Sequence, residues 1–88
     1  MFAEVIRRMV SDIEANLDNS DRKDVERSYY CAGHVTAWCQ VIMMMGHNVE
    51  HGTWIDEKCN REGYLEIDGK VLVKNSKIDY KVYQELVK

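Results

Sequence analysis

The sequence predicts an α+β fold. An N-terminal helical hairpin with a long second helix leads into one β-hairpin and a short C-terminal helix, in a single domain covering 1–88. Three observations carry this expectation. Phe2, Val5, Ile6, Met9, Ile13 and Leu17 recur at three- and four-residue steps, the apolar stripe of an amphipathic helix. A second, longer apolar run ends at Gly46, a residue suited to the left-handed position that closes a helix. Asp68-Gly69 separates Tyr64-Leu65-Glu66-Ile67 from Lys70-Val71-Leu72-Val73, and both residues of a tight two-residue turn need positive φ.

The first helix is expected over 2–17, with Glu4, Arg7, Arg8, Asp12 and Glu14 on its wet side. Asp18-Asn19-Ser20-Asp21 gathers turn and N-cap residues that close this helix and open the next. The second helix is expected from Arg22 to Met45, about 35 Å at 1.5 Å per residue, with a stripe of Val25, Tyr29, Ala32, Thr36, Cys39 and Met43. Its first part is mostly charged. From Val35 to Met45 only Thr36 and Gln40 are not apolar. A helix that is apolar all round must be covered all round, by its own fold or by another chain. Trp38, Met43, Met44 and Met45 are therefore the candidate contact residues, joined by Trp54 from the following loop. Of Tyr29 and Tyr30, one is expected in the core and one half-exposed. Residues 47–62 lack a period and read as a loop anchored by Trp54-Ile55. Asn75-Ser76 is expected to cap the last helix, with Ile78, Val82, Tyr83 and Leu86 as its apolar side.

Composition excludes several classes. A chain of 88 residues buries only about 60–65% of its unfolded surface, so its core is thin. Its three cysteines are an odd number, and Met1–Arg8 mixes charge into its apolar residues unlike a secretory signal. Reduced thiols and a cytoplasmic location are expected. No apolar run approaches ~20 residues, which argues against a membrane span. The net charge is −3 and no stripe alternates base with aromatic, which argues against direct nucleic-acid binding. The acidic stretch from Asp12 to Glu26 reads as a solvated helix face and loop rather than a dock for a basic partner.

The histidines raise a metal question. Cys31, His34, His47 and His51 follow C-x2-H-x12-H-x3-H, which becomes zinc-finger spacing if His34 is replaced by Cys. Tyr29, Trp38 and Met44 fall near the hydrophobic positions of that pattern. Helical phase opposes it. At about 100° per residue, Cys31 and His34 share one side, while His47 and His51 fall on nearly the opposite side. Zinc would require the helix to break near Gly33, and the flanking residues favour a straight one. His47-Asn48-Val49-Glu50-His51 also matches H-x-x-E-H of inverted zinc peptidases, but Gly46 and Gly52 bracket it too tightly for a helix. A lesser site would join His47 and His51 with Glu57 or Cys59. Cys31 and His34, three apart, have the spacing of a thiolate–imidazole dyad. The blander expectation is that Cys31 is a small helix-interior hydrophobe, Cys39 is core and Cys59 is exposed.

The charged helix, the Tyr29-Tyr30-Cys31-Ala32-Gly33-His34 stretch, the apolar helix ending in Met45-Gly46-His47 and the short hairpin together resemble small accessory proteins of phages and mobile elements. That resemblance implies a binding protein that blocks or modifies a host complex, anti-CRISPR inhibitors among them. The expected function is a non-enzymatic interaction protein whose partner is another protein or a second copy, without a cofactor. The alternatives are a zinc module on Cys31, His34, His47 and His51, and a thiol enzyme using Cys31 or Cys59.

Overall fold

A computed structural model describes residues 1–21, 24–52 and 63–88. The fold is α+β, with an N-terminal helical pair, an antiparallel sheet of four short strands and a short C-terminal helix.

Helix α1 spans Phe2–Asp21 and α2 spans Val25–Met44. The apolar stripe of α1 does what its spacing dictates: Val5, Ile6, Met9, Val10 and Ile13 are buried, and Phe2 and Leu17 pack against them. The helix runs past the expected turn at Asp18. The Asn19 side chain donates to the Ala15 carbonyl at 2.9 Å, and the Asn19 carbonyl accepts from the Asp24 amide at 2.9 Å. These bonds hold a last turn in which the Asp18 carboxylate opposes the helix dipole.

Asp24, not the 18–21 cluster, caps α2. Its carboxylate accepts from the Arg27 amide at 3.2 Å, so the helix begins at Val25 rather than Arg22. At the other end Gly46 has φ +95 and completes a Schellman motif. The His47 amide donates to the Ile42 carbonyl at 3.2 Å and the Gly46 amide to Met43 at 3.0 Å. The buried stripe of α2 is Cys31, Val35, Cys39 and Ile42. Tyr29 and Met43, expected on that stripe, are exposed, and so is Tyr30. In a helix apolar nearly all round, spacing fixes the period but not which side faces inward.

The sheet is a meander in the order β1 (Val49–His51), β2 (Leu65–Ile67), β3 (Lys70–Lys74), β4 (Lys77–Ile78). The expected hairpin is β2–β3, and its turn has φ 51 at Asp68 and 80 at Gly69. A register shift between Leu65 and Glu66 lets adjacent Leu72 and Val73 both be buried. Asn75-Ser76 is not a helix cap. With φ 50 and 60 it is a second two-residue turn, joining β3 to β4. Ile78 thus belongs to a strand, and Asp79 caps α3 (Tyr80–Leu86) by accepting from the Lys81 and Val82 amides. Val82, Tyr83 and Leu86 pack on the core as expected. Leu65, Ile67, Leu72 and Val73 join the α1 and α2 stripes in one hydrophobic cluster.

Candidate interaction surface

The continuity of α2 through Gly33 decides the zinc-finger geometry. The helix does not break there, and about 15 Å of axial rise separates position 34 from the helix end at Met44. Each side chain has separate company. Cys31 faces α1, with Asn19 Nδ2 3.9 Å from its sulfur. His34 packs against Tyr30 with the rings tilted and their centroids 4.3 Å apart, and sets Nδ1 3.7 Å from Asp12 Oδ2. His47, beyond the helix end, bonds Asp68 Oδ2 through Nδ1 at 2.6 Å and stacks on Phe2 at 4.1 Å. His51 is an exposed residue of β1. Among the described residues, no three His, Cys, Asp or Glu side chains are grouped to hold a metal ion. The H-x-x-E-H run is coil leading into a strand, so its histidines share no helix face. Glu57, Cys59 and Trp54 lie outside the described residues.

The dyad fares no better. No hydrogen bond joins Cys31 to His34 among the described residues, and the imidazole is committed to Tyr30 and Asp12. Cys31 is buried, at the floor of a groove lined by Ala15, Asn19, Glu26, Arg27 and Tyr30. Cys39 is wholly buried, and desolvation pushes its thiol up to about 11, far from a nucleophile's range.

The His47–Asp68 pair is structural in its placement. Asp68 accepts from His47 and, through Oδ1, from the Asn48 amide at 2.9 Å. These two bonds hold its carboxyl below the usual value, the His47 bond contributing most. They fix the end of α2 to the β2–β3 turn.

What α2 leaves open is an apolar outer face. Met44 is 87% exposed, Tyr30 66% and Val41 36%; Met43 and Met45 are exposed beside them. Trp38 plays a different part from the one expected. It is half-buried, packs against the core, and donates its indole N–H to Asp12 Oδ2 at 2.7 Å, tying α2 to α1. Its ring edge still walls a hollow of about 210 Å³ whose other sides are Gly33, His34, Ala37 and Val41.

Met43, Met44 and Met45, named from the sequence, are exposed; Tyr30, Gly33, Ala37 and Val41, exposed on the same helix, were not named. The signal was present. Positions 30, 33, 37, 41 and 44 recur at three- and four-residue steps on the side away from Val35 and Cys39. No Asp, Glu, Lys or Arg occurs from Ser28 to Gly46, so this face carries no formal charge. Comparison with known proteins adds no relative: no family model, no curated protein and no solved structure matches the chain.

Proposed function

We propose that this chain is a non-enzymatic protein–protein interaction module whose contact surface is the outer face of α2, from Tyr30 to Met45. The supporting observation is the uncharged helix face with Tyr30, Val41 and Met44 open to water. Exposed apolar area that is contiguous and free of charge costs solubility and is characteristic of a surface that another molecule covers. Methionine suits such a surface because its thioether and unbranched stem adapt to a partner's shape. In its narrower form the reading is an inhibitor of a host complex acting in the cytoplasm, of the kind that phage accessory proteins and anti-CRISPR inhibitors represent. That form is supported by the resemblance carried by residues 29–34 and the order of elements. No described helix is long and apolar enough to cross a membrane.

The test is partner capture by the wild-type chain and by Met44→Lys, with circular dichroism confirming the fold. Met44 touches little, so the change alters stability by no more than about 0.5 kcal/mol. A specific partner retained by wild type and lost by the variant supports the reading. Equal capture by both refutes it.

A further inference from the structure

We infer that His34 and Asp12 form a proton-operated clasp between α2 and α1, and that the clasp sets the charge of the surface proposed above. The regulatory half rests on the interaction reading; the clasp itself does not. Trp38 and His34 stand four residues apart on α2, one turn, and so present their donors on the same side of the helix. Asp12 of α1 meets both. Its Oδ2 accepts the Trp38 indole N–H at 2.7 Å and lies 3.7 Å from His34 Nδ1, too far for a hydrogen bond. No Lys or Arg among the described residues lies within ion-pair distance of Asp12. Among those residues His34 is therefore the side chain that can bring this carboxylate a positive charge, and it does so only when protonated.

Protonation closes the contact. A neutral imidazole at this distance gains little from the carboxylate, whereas an imidazolium gains a charge-assisted hydrogen bond of about 2.7–2.9 Å. Closing takes a movement of about 1 Å, which a side chain 44% exposed is free to make. On its own helix Tyr30 touches the ring, centroids 4.3 Å apart and tilted 45°, and offers a π face to a cation. From α1 the charged group in contact is Asp12; β1, which also packs on α2, sets none against the ring. Once closed, Asp12 holds α2 by two donors one turn apart instead of one. The surface changes with it. No Asp, Glu, Lys or Arg occurs from Ser28 to Gly46, and His34 walls the hollow with Gly33, Ala37, Trp38 and Val41. With the ring neutral that wall is uncharged, and a partner covers it at little electrostatic cost. With the ring charged, covering it takes an ion pair out of water, and the desolvation offsets what the pair gains. Partner binding is thus strongest with His34 neutral and weakens as the pH falls through its protonation.

The experiment is an NMR titration of the intact chain from pH 8 to pH 5.5, a range in which carboxylates ordinarily stay ionised. It reads the assigned Trp38 Nε1–H resonance and the His34 ring protons in wild type, His34→Gln and Asp12→Asn. Both substitutions keep a polar side chain of similar size on a helix surface, and His47 and His51 remain in all three chains as controls. In wild type the indole resonance is expected to shift along the same curve as the His34 ring, and both variants are expected to lose that shift. A histidine that gains a partner on folding stabilises the fold on the acid side, so wild type should gain about 2–4 °C in Tm over His34→Gln between pH 8 and pH 5.5. An indole resonance that ignores the His34 titration, or that shifts equally in His34→Gln, overturns the clasp, as does a Tm difference that stays constant with pH. Partner capture at the two pH values judges the regulation. Capture that falls several-fold at pH 5.5 for wild type but not for His34→Gln supports it; equal capture by wild type at both overturns it and leaves the clasp standing. If Met44→Lys captures as well as wild type, the interaction reading falls and the regulation with it, while the titration still decides the clasp.

Discussion

Ser76 holds two opposing terms that a short set of variants separates. Its φ of 60 places a residue with a Cβ in the left-handed region, a cost of roughly 1 kcal/mol that glycine does not bear. Its hydroxyl oxygen accepts from the buried Gly63 amide at 2.9 Å, and its own amide donates to the Gly63 carbonyl at 3.0 Å. Removing the hydroxyl leaves the Gly63 N–H buried without its acceptor, a loss of about 1–3 kcal/mol. Ser76→Ala keeps the strain and loses the bond, so it is expected to cost about 2 kcal/mol. Ser76→Gly loses the bond but relieves the strain, for a net cost of about 1 kcal/mol. Asn75→Gly, at the exposed neighbour with φ 50, relieves strain without touching Gly63, and is expected to leave stability within about 0.5 kcal/mol of wild type. Thermal unfolding followed by circular dichroism resolves these steps, since 1 kcal/mol moves the Tm of a domain this size by about 4–8 °C. Ser76→Ala as stable as wild type would refute the claim that the hydroxyl bond outweighs the strain.

Three further outcomes concern the helix end, the turn carboxylate and the thiols. Gly46→Ala meets no steric obstacle but must adopt φ +95, so urea unfolding should show a loss of about 1 kcal/mol; an unchanged midpoint would remove the Schellman motif as the reason for glycine there. The Asp68 carboxyl is held below its ordinary 3.8, so its stabilising effect is present above that pH and is lost as pH falls through its folded value. Asp68→Asn should therefore flatten the acid limb of stability below about pH 4, and denaturant midpoints across pH 2–6 that fall as steeply as wild type would contradict this. Cys39 should resist alkylation in the native state while Cys31, reached through its groove, reacts slowly; mass spectrometry showing Cys39 labelled first would contradict the assigned burial.

Some of this molecule was legible in its residues and some was not, for identifiable reasons. The α1 stripe could be read because polar residues alternate with it; one side of that helix has no apolar choice. Asp68-Gly69 could be read because glycine names the backbone it needs. Asn75-Ser76 was ambiguous because asparagine and serine serve both as helix caps and in left-handed turns, and only the pairing of Lys74 with Lys77 decides between them. Strand β1 was missed because three residues, Val49-Glu50-His51, are too few to show alternation. The face of α2 was half found. Apolar residues around nearly its whole circumference mark no side for water, and so give no phase. The phase comes from α1 and the sheet, which claim Val35, Cys39 and Ile42 and so turn Ala37, Val41 and Met44 outward.

The stacking of Phe2 on His47 has a practical consequence for anyone handling the protein. It brings the start of α1 to the end of α2, so Met1, itself largely exposed, shares one end of the helical hairpin with Met44 and Met45. An affinity tag or fluorescent fusion joined ahead of Met1 therefore emerges beside the methionine cluster. It would shield that surface from any partner and report a silence of the tag's own making.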